Sequence, residues 1–132
     1  MKRVIIIVIL VLVIVGAAVY FFFLKPPPEP ETMFYPPGES FVTNIKDSVR
    51  LLKTAVVLEL TTADTEKITE YLTENNHVIR DIILSTLRNK NEEELRAQNI
   101  QDELREEIKA SISEKMGIDY LQKVYFNDFV IQ

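Results

Sequence analysis

Chemistry in this chain would have to start from a very small stock of reactive groups. The only histidine is His77, and there is no cysteine. A histidine-based metal site needs further ligands at workable spacing, and thiolate ligands are excluded. His77 lies in "TENNHVIRD", a polar turn of a helical stretch, and reads as structural or solvated. Ser85, Ser111 and Ser113 fall in segments that read as helix, without a nucleophile motif around them. Gly16, Gly38 and Gly117 are the only glycines, too scattered for a loop that cradles phosphate. The carboxylate runs Glu92 to Glu94 and Glu106 with Glu107 are candidates for acid/base pairs, but their pattern is that of a solvated helix face. A calcium loop would need acids at alternate positions around a glycine. No enzyme is expected, and no residue is assigned to catalysis, a cofactor or a metal.

With catalysis set aside, position becomes the informative property. Val4 to Leu24 is uncharged and almost wholly apolar. As a helix rising about 1.5 Å per residue, it matches a hydrocarbon core about 30 Å thick. A secretory signal has a shorter apolar region and a small-residue cleavage site. Here the small patch Gly16-Ala17-Ala18 runs into Val19-Tyr20-Phe21-Phe22-Phe23-Leu24, an awkward mature terminus, so a retained anchor is expected over a cleaved signal. Lys2 and Arg3 put residues 1–3 in the cytoplasm by the positive-inside rule and the rest outside. A pilin-like start is disfavoured, because the block holds no acidic residue. Gly16 and Ala17 offer a place for another helix to approach closely, though no small-xxx-small pair is present.

Residues 25–38 contain Pro26, Pro27, Pro28, Pro30, Pro36 and Pro37. Proline fixes φ and lacks an amide donor, so an extended spacer reaching up to roughly 40 Å is expected. Met33, Phe34 and Tyr35 interrupt it with apolar bulk, to pack on the chain's own domain or on a partner. Phe34 and Tyr35 join Gly16 and Ala17 as candidate partner-contact residues. All 20 acidic residues follow position 24, as do 13 of the 15 basic ones, leaving −7 on that region. An acidic domain is a poor nucleic-acid binder and is weakly repelled by anionic lipid.

Residues 39–132 suffice for one small domain. "ESFVTNIK" alternates, placing Phe41, Thr43 and Ile45 on one side of a strand, and Asp47 with Ser48 supplies a turn. Val49 to Thr61 reads as a long central strand. Leu52, Val56, Leu58 and Leu60 form one face, and Leu51, Ala55 and Val57 form a second, partly buried face. Asp64 caps a helix carrying Ile68, Leu72, Ile79, Ile83 and Leu87, which ends near Asn89 to Asn91. Asn91 with Glu94 forms a capping box for a second helical region, in which Ile100, Leu104, Ile108 and Ile112 recur. Gly117 closes that region. "KVYFNDFVIQ" reads as a last strand with apolar residues on both faces and a bulge at Asn127 and Asp128. The fold class is α+β, with helices packed on one face of a small sheet.

This order of parts resembles the FliL family of flagellar basal-body-associated proteins over nearly the full chain. The resemblance rests on "VTNIKDSVRLLKTAVVLEL", "VIRDIILSTLRNKNEEEL", "LREEI" and the closing "VYFNDFVIQ". One departure is visible: family members often carry a glycine before the "LREEI"-like helix, where this chain has "AQNIQDELREEI" and Asn99 could supply left-handed geometry. The resemblance implies a non-enzymatic accessory of the flagellar motor at the cell membrane, with a stomatin-like domain that assembles in rings. It also implies association with the stator subunits MotA and MotB, in support of their active state and of motility. The alternative is a stomatin-like scaffold for another membrane complex.

Overall fold

The computed structural model covers residues 1–132. Helix α1, Lys2–Val19, continues through a π-helical turn, Tyr20–Leu24, and none of this segment is buried. It is long and apolar enough to cross a membrane. Lys25 closes it, with Nζ 5.0 Å from the Phe21 ring centroid.

The extended spacer is shorter than the prolines suggested. Strand β1, Glu31–Tyr35, lies inside the region read as linker and pairs antiparallel with β3, Leu51–Thr62. The free spacer is therefore Lys25 to Pro30, spanning about 19 Å at 3.1 Å per residue. β2, Phe41–Asn44, pairs with the other end of β3 along the same edge. β1 and β2 thus form one long edge strand, interrupted at residues 36–40 opposite Ala55 to Val57. The cause is chemical: Pro36 and Pro37 have no N–H to give the ladder. β4, Leu121–Ile131, covers the opposite edge of β3. Every other strand therefore bonds through β3, the predicted central strand.

Two bulges in β4 resolve its apparently two-faced pattern. The register slips at Gln122 and again at Asn127. Each extra residue flips the alternation, so Leu121, Val124, Phe126, Phe129 and Ile131 all share the side of Leu52, Val56, Leu58 and Leu60. At the second bulge Thr54, fully buried, donates its hydroxyl to the Asp128 carbonyl at 2.5 Å.

Helices cover that side only. The stretch read as one helix is two, α2 Thr65–Glu74 and α3 Asn76–Arg88, broken at Asn75. Asn75 Nδ2 donates to the Tyr71 carbonyl at 2.9 Å, competing with the backbone ladder at the break. Asp64 caps α2 by accepting from the Lys67 amide. Asn91 and Glu94 form the expected capping box on the short α4, Glu92–Leu95, with bonds of 2.9 and 2.8 Å. Asn99 precedes α5, Ile100–Met116, at φ −100°, not in the left-handed region expected of it. Gly117 does adopt that region, at φ 64°. Ile79, Ile83, Leu87, Leu104, Ile108 and Ile112 interlock with the sheet in one core. Burial of such side chains contributes roughly 1.5–3 kcal/mol each.

Candidate partner-binding surface

The side of the sheet away from the helices is bare. Alternation along β3 sends Lys53, Ala55, Val57, Glu59 and Leu51 to it. The registers add Phe34 from β1, Val42 and Asn44 from β2, and Lys123, Tyr125, Asp128 and Val130 from β4. This second face was expected to be partly buried. Ala55 and Val57 are half-buried, as expected, whereas Leu51 is open to solvent, as are Phe34, Val42, Tyr125 and Val130 around them. Outside residues 1–24, the one other large apolar side chain so exposed is Val49, in the β2–β3 loop. The surface apolar residues of the domain are therefore gathered on a single face rather than scattered.

That face is also ordered by charge. Glu59 sits across from Lys123 on one flank and Phe34 on the other. Tyr125 donates its hydroxyl to Glu59 Oε2 at 2.5 Å. This bond, backed by the nearby carboxylate charge, pushes the Tyr125 phenol above its ordinary range. Lys53 lies at the other end, flanked by Val42 and Val130.

The four residues proposed from sequence are not brought together. Gly16 and Ala17 are exposed on α1, and a Cβ added to Gly16 would meet nothing within 4 Å. Phe34 is 60% exposed on the bare face. Tyr35, one residue on, turns to the helix side, where its hydroxyl donates to the Leu72 carbonyl at 3.2 Å and its ring packs on the core. Tyr125, Val42 and Val130 were not singled out, although the alternation of "ESFVTNIK" carried Val42, and that of "VYFNDFVIQ" carried Tyr125 and Val130 once the bulge at Asn127 is counted.

Behind Tyr35, the break in the edge strand is clasped from α3. The Pro37 carbonyl, left without a ladder partner, accepts from Asn76 Nδ2 at 3.1 Å and Arg80 Nη1 at 3.2 Å. The Arg80 guanidinium lies 4.6 Å from the Phe41 ring centroid. Gly38 leaves the space that guanidinium fills.

A second polar cluster ties the β2–β3 turn to α4. Asp47 takes φ 56° at that turn. Ser48 donates its hydroxyl to Glu92, while Arg50 and Arg96 lie 3.7 and 3.8 Å from the same carboxylate. The Ser48 bond, then the two arginines, hold the Glu92 carboxyl below the usual range. On α3, His77 is exposed.

Comparison with protein families decides what this scaffold is. The family model described as "Flagellar basal body-associated protein FliL" matches residues 34–132. The chain belongs to the FliL family. No curated protein matches it in sequence comparison. The FliL match opens at Phe34, inside β1, and runs through every helix and strand that follows. FliL membership makes this a flagellar basal body-associated accessory protein, carrying ahead of its domain one helix of membrane-spanning length.

Proposed function

We propose that this FliL-family chain is a membrane-anchored, non-enzymatic scaffold of the flagellar motor that associates with the stator and with copies of itself, and so supports motility. The family match over residues 34–132 carries this reading. In it, Lys2 and Arg3 stay in the cytoplasm, residues 4–24 cross the membrane, and the domain stands outside on the Lys25 to Pro30 spacer. Gly16 and Ala17 give a partner helix close approach, and Phe34 is the exposed contact of the domain. The partners are the stator subunits MotA and MotB.

Affinity capture of the full chain from solubilised membranes of motile cells, probed for MotA and MotB, tests the stator association. Enrichment of both over an unrelated single-span protein is the expected result. Capture of the chain without either subunit overturns the stator assignment.

A further inference from the structure

We infer that copies of this chain join edge to edge, the free edge of β4 in one copy pairing in parallel with the β1–β2 edge of the next. This rests on the self-association proposed above and names its surface, and it is independent of the stator. β3 is the strand bonded on both sides, so the sheet ends in two unpaired edges. The β4 edge runs 11 residues without a proline, a long row of free amides and carbonyls. It is also uncovered. A groove of about 350 Å³ is lined by Arg105 and Glu106 of α5 and by Lys123, Val124 and Tyr125 of β4. Val124 points to the helix side and its two neighbours to the bare side, so one groove reaches all three only around the free edge.

Strand direction and backbone pattern say what fits there. β1, β2 and β4 all run antiparallel to β3, and so parallel to one another. A second copy turned about an axis along the strands therefore brings its β1–β2 edge beside β4 in parallel. Its helices stay on the same side, and its spacer leaves from the same Glu31 end. Leu51 exchanges two bonds with Gln132, and the Thr61 amide donates to the Tyr120 carbonyl, so odd-numbered residues of β3 bond towards β4. Even-numbered ones bond towards β1 and β2, as the Arg50 carbonyl does in accepting from Ile45. Phe34, Val42 and Asn44 therefore turn their own backbone groups outward on one edge, and Val124, Phe129 and Ile131 do so on the other. The two sets stand at alternate levels of β3, the stagger of a parallel ladder.

The irregular points set the register. The β1–β2 edge is interrupted at residues 36–40, opposite Ala55 to Val57, and β4 bulges at Asn127, between the levels of Ala55 and Val56. With the copies level, break meets bulge. Phe34 and Tyr35 then lie beside Lys123 and Val124 of the next copy, and Phe41 to Thr43 beside Phe129 to Ile131. Lys123 meets the Phe34 ring as cation on aromatic, and Val130 meets Val42. A slip of two residues sets the break against a regular run, to which Pro36 and Pro37 have no amide to give. The junction joins two different edges, so each copy keeps one edge for a further copy, as a ring requires. α3 lies over β2 and α5 over β4, so two helices about 10 Å wide cover three strands about 4.8 Å apart. The broader helical layer turns successive copies towards the bare face, which comes to line the inside of the curve. Confinement of the copies in one membrane promotes the contact.

The test uses the full chain in native membranes, where the absence of cysteine makes introduced thiols unique. Val42 and Val130 flank Lys53 from the two sides of β3. They are about 9.6 Å apart within one copy, beyond disulfide reach, but about 4.8 Å apart across the junction. Under mild oxidation V42C/V130C yields a ladder of dimers, trimers and longer chains, and V42C or V130C alone yields monomer. F34C/K123C, both level with Glu59, yields the same ladder. Adding Val42→Pro or Asn44→Pro to F34C/K123C removes one outward amide and lowers the ladder about fivefold, the weight of one hydrogen bond, with the urea midpoint kept. Dimers alone, formed as readily by V42C or by V130C as by the pair, overturn the head-to-tail junction. A ladder unmoved by either proline overturns backbone pairing. No adduct from either pair, while lysine-reactive crosslinking still traps oligomers, overturns these edges and leaves self-association standing. Monomer alone under the lysine-reactive crosslinker overturns self-association and the junction with it.

Discussion

Gly38→Ala places a methyl group where the Arg80 guanidinium now lies. A Cβ on Gly38 would fall 1.9 Å from Arg80 Nη1 and 3.1 Å from its Cζ. The backbone does not object, since Gly117 is the glycine with positive φ. The arginine must therefore swing away and leave two partners, the Pro37 carbonyl at 3.2 Å and the Phe41 ring at 4.6 Å. A hydrogen bond from a charged donor is worth about 1.5–3 kcal/mol. The low end applies, because Asn76 still satisfies the Pro37 carbonyl. The cation–π contact adds about 0.5–1 kcal/mol. Against this, alanine restricts the unfolded chain and returns about 0.4–1 kcal/mol. The net expectation is a destabilisation of about 1.5 kcal/mol. In an Arg80→Ala background nothing is displaced, so the same change should stabilise by about 0.5 kcal/mol. Urea unfolding in detergent, followed by tyrosine emission in this tryptophan-free chain, measures both. Equal effects of Gly38→Ala in the two backgrounds would refute the clasp.

Two further outcomes follow from the core and from the α4 cluster. Leu104→Ala, at a fully buried position between α3 and β4, should cost about 3 kcal/mol; a loss under about 1 kcal/mol would mean that α5 is not packed as described. Glu92 is ionised more readily in the folded chain than in the unfolded one. Its contribution is therefore present above its ordinary value of 4.5 and is lost as pH falls through the lower folded value. Glu92→Gln should flatten the fall in urea midpoint between about pH 6 and about pH 3, and parallel curves for the two proteins would contradict the Ser48 and arginine contacts.

The elements read most easily from sequence were those whose signals repeat. The fourfold spacing of Ile100, Leu104, Ile108 and Ile112, and the alternation from Leu52 to Leu60, are long enough to fix a face, and all of these residues except the outward members of β3 are buried. Local caps were equally plain, because Asp64, Asn91 and Gly117 act through chemistry confined to one turn. β1 was hidden because Glu31 to Tyr35 is short, is set among prolines, and is a strand only through its pairing with distant Leu58 to Thr62. The break at Asn75 was hidden because the apolar stripe continues across it. The half-burial of Ala55 and Val57 was legible, but the openness of the face around them was not, because Val57 and Ala55 suit a covered face as well as a half-covered one. Only the count of helices on each side of the sheet distinguishes the two. For Gly16 and Ala17, sequence supplied a patch and the fold supplies no neighbour within the chain.

The dependence of every strand on β3 also sets a schedule for folding. β1 and β2 precede β3 and can pair with it as it forms, whereas its other edge must await β4, with the whole run from α2 to α5 in between. During that interval the Leu52 to Leu60 edge has unpaired amides and carbonyls beside a still uncovered apolar side. This is a template for the wrong strand from another chain. Closing such a long loop is slow, and packing of the intervening helices shortens the distance β4 has to cover. Substitutions that delay β4 would then act through misassembly and clearance, lowering abundance even where the finished domain is stable.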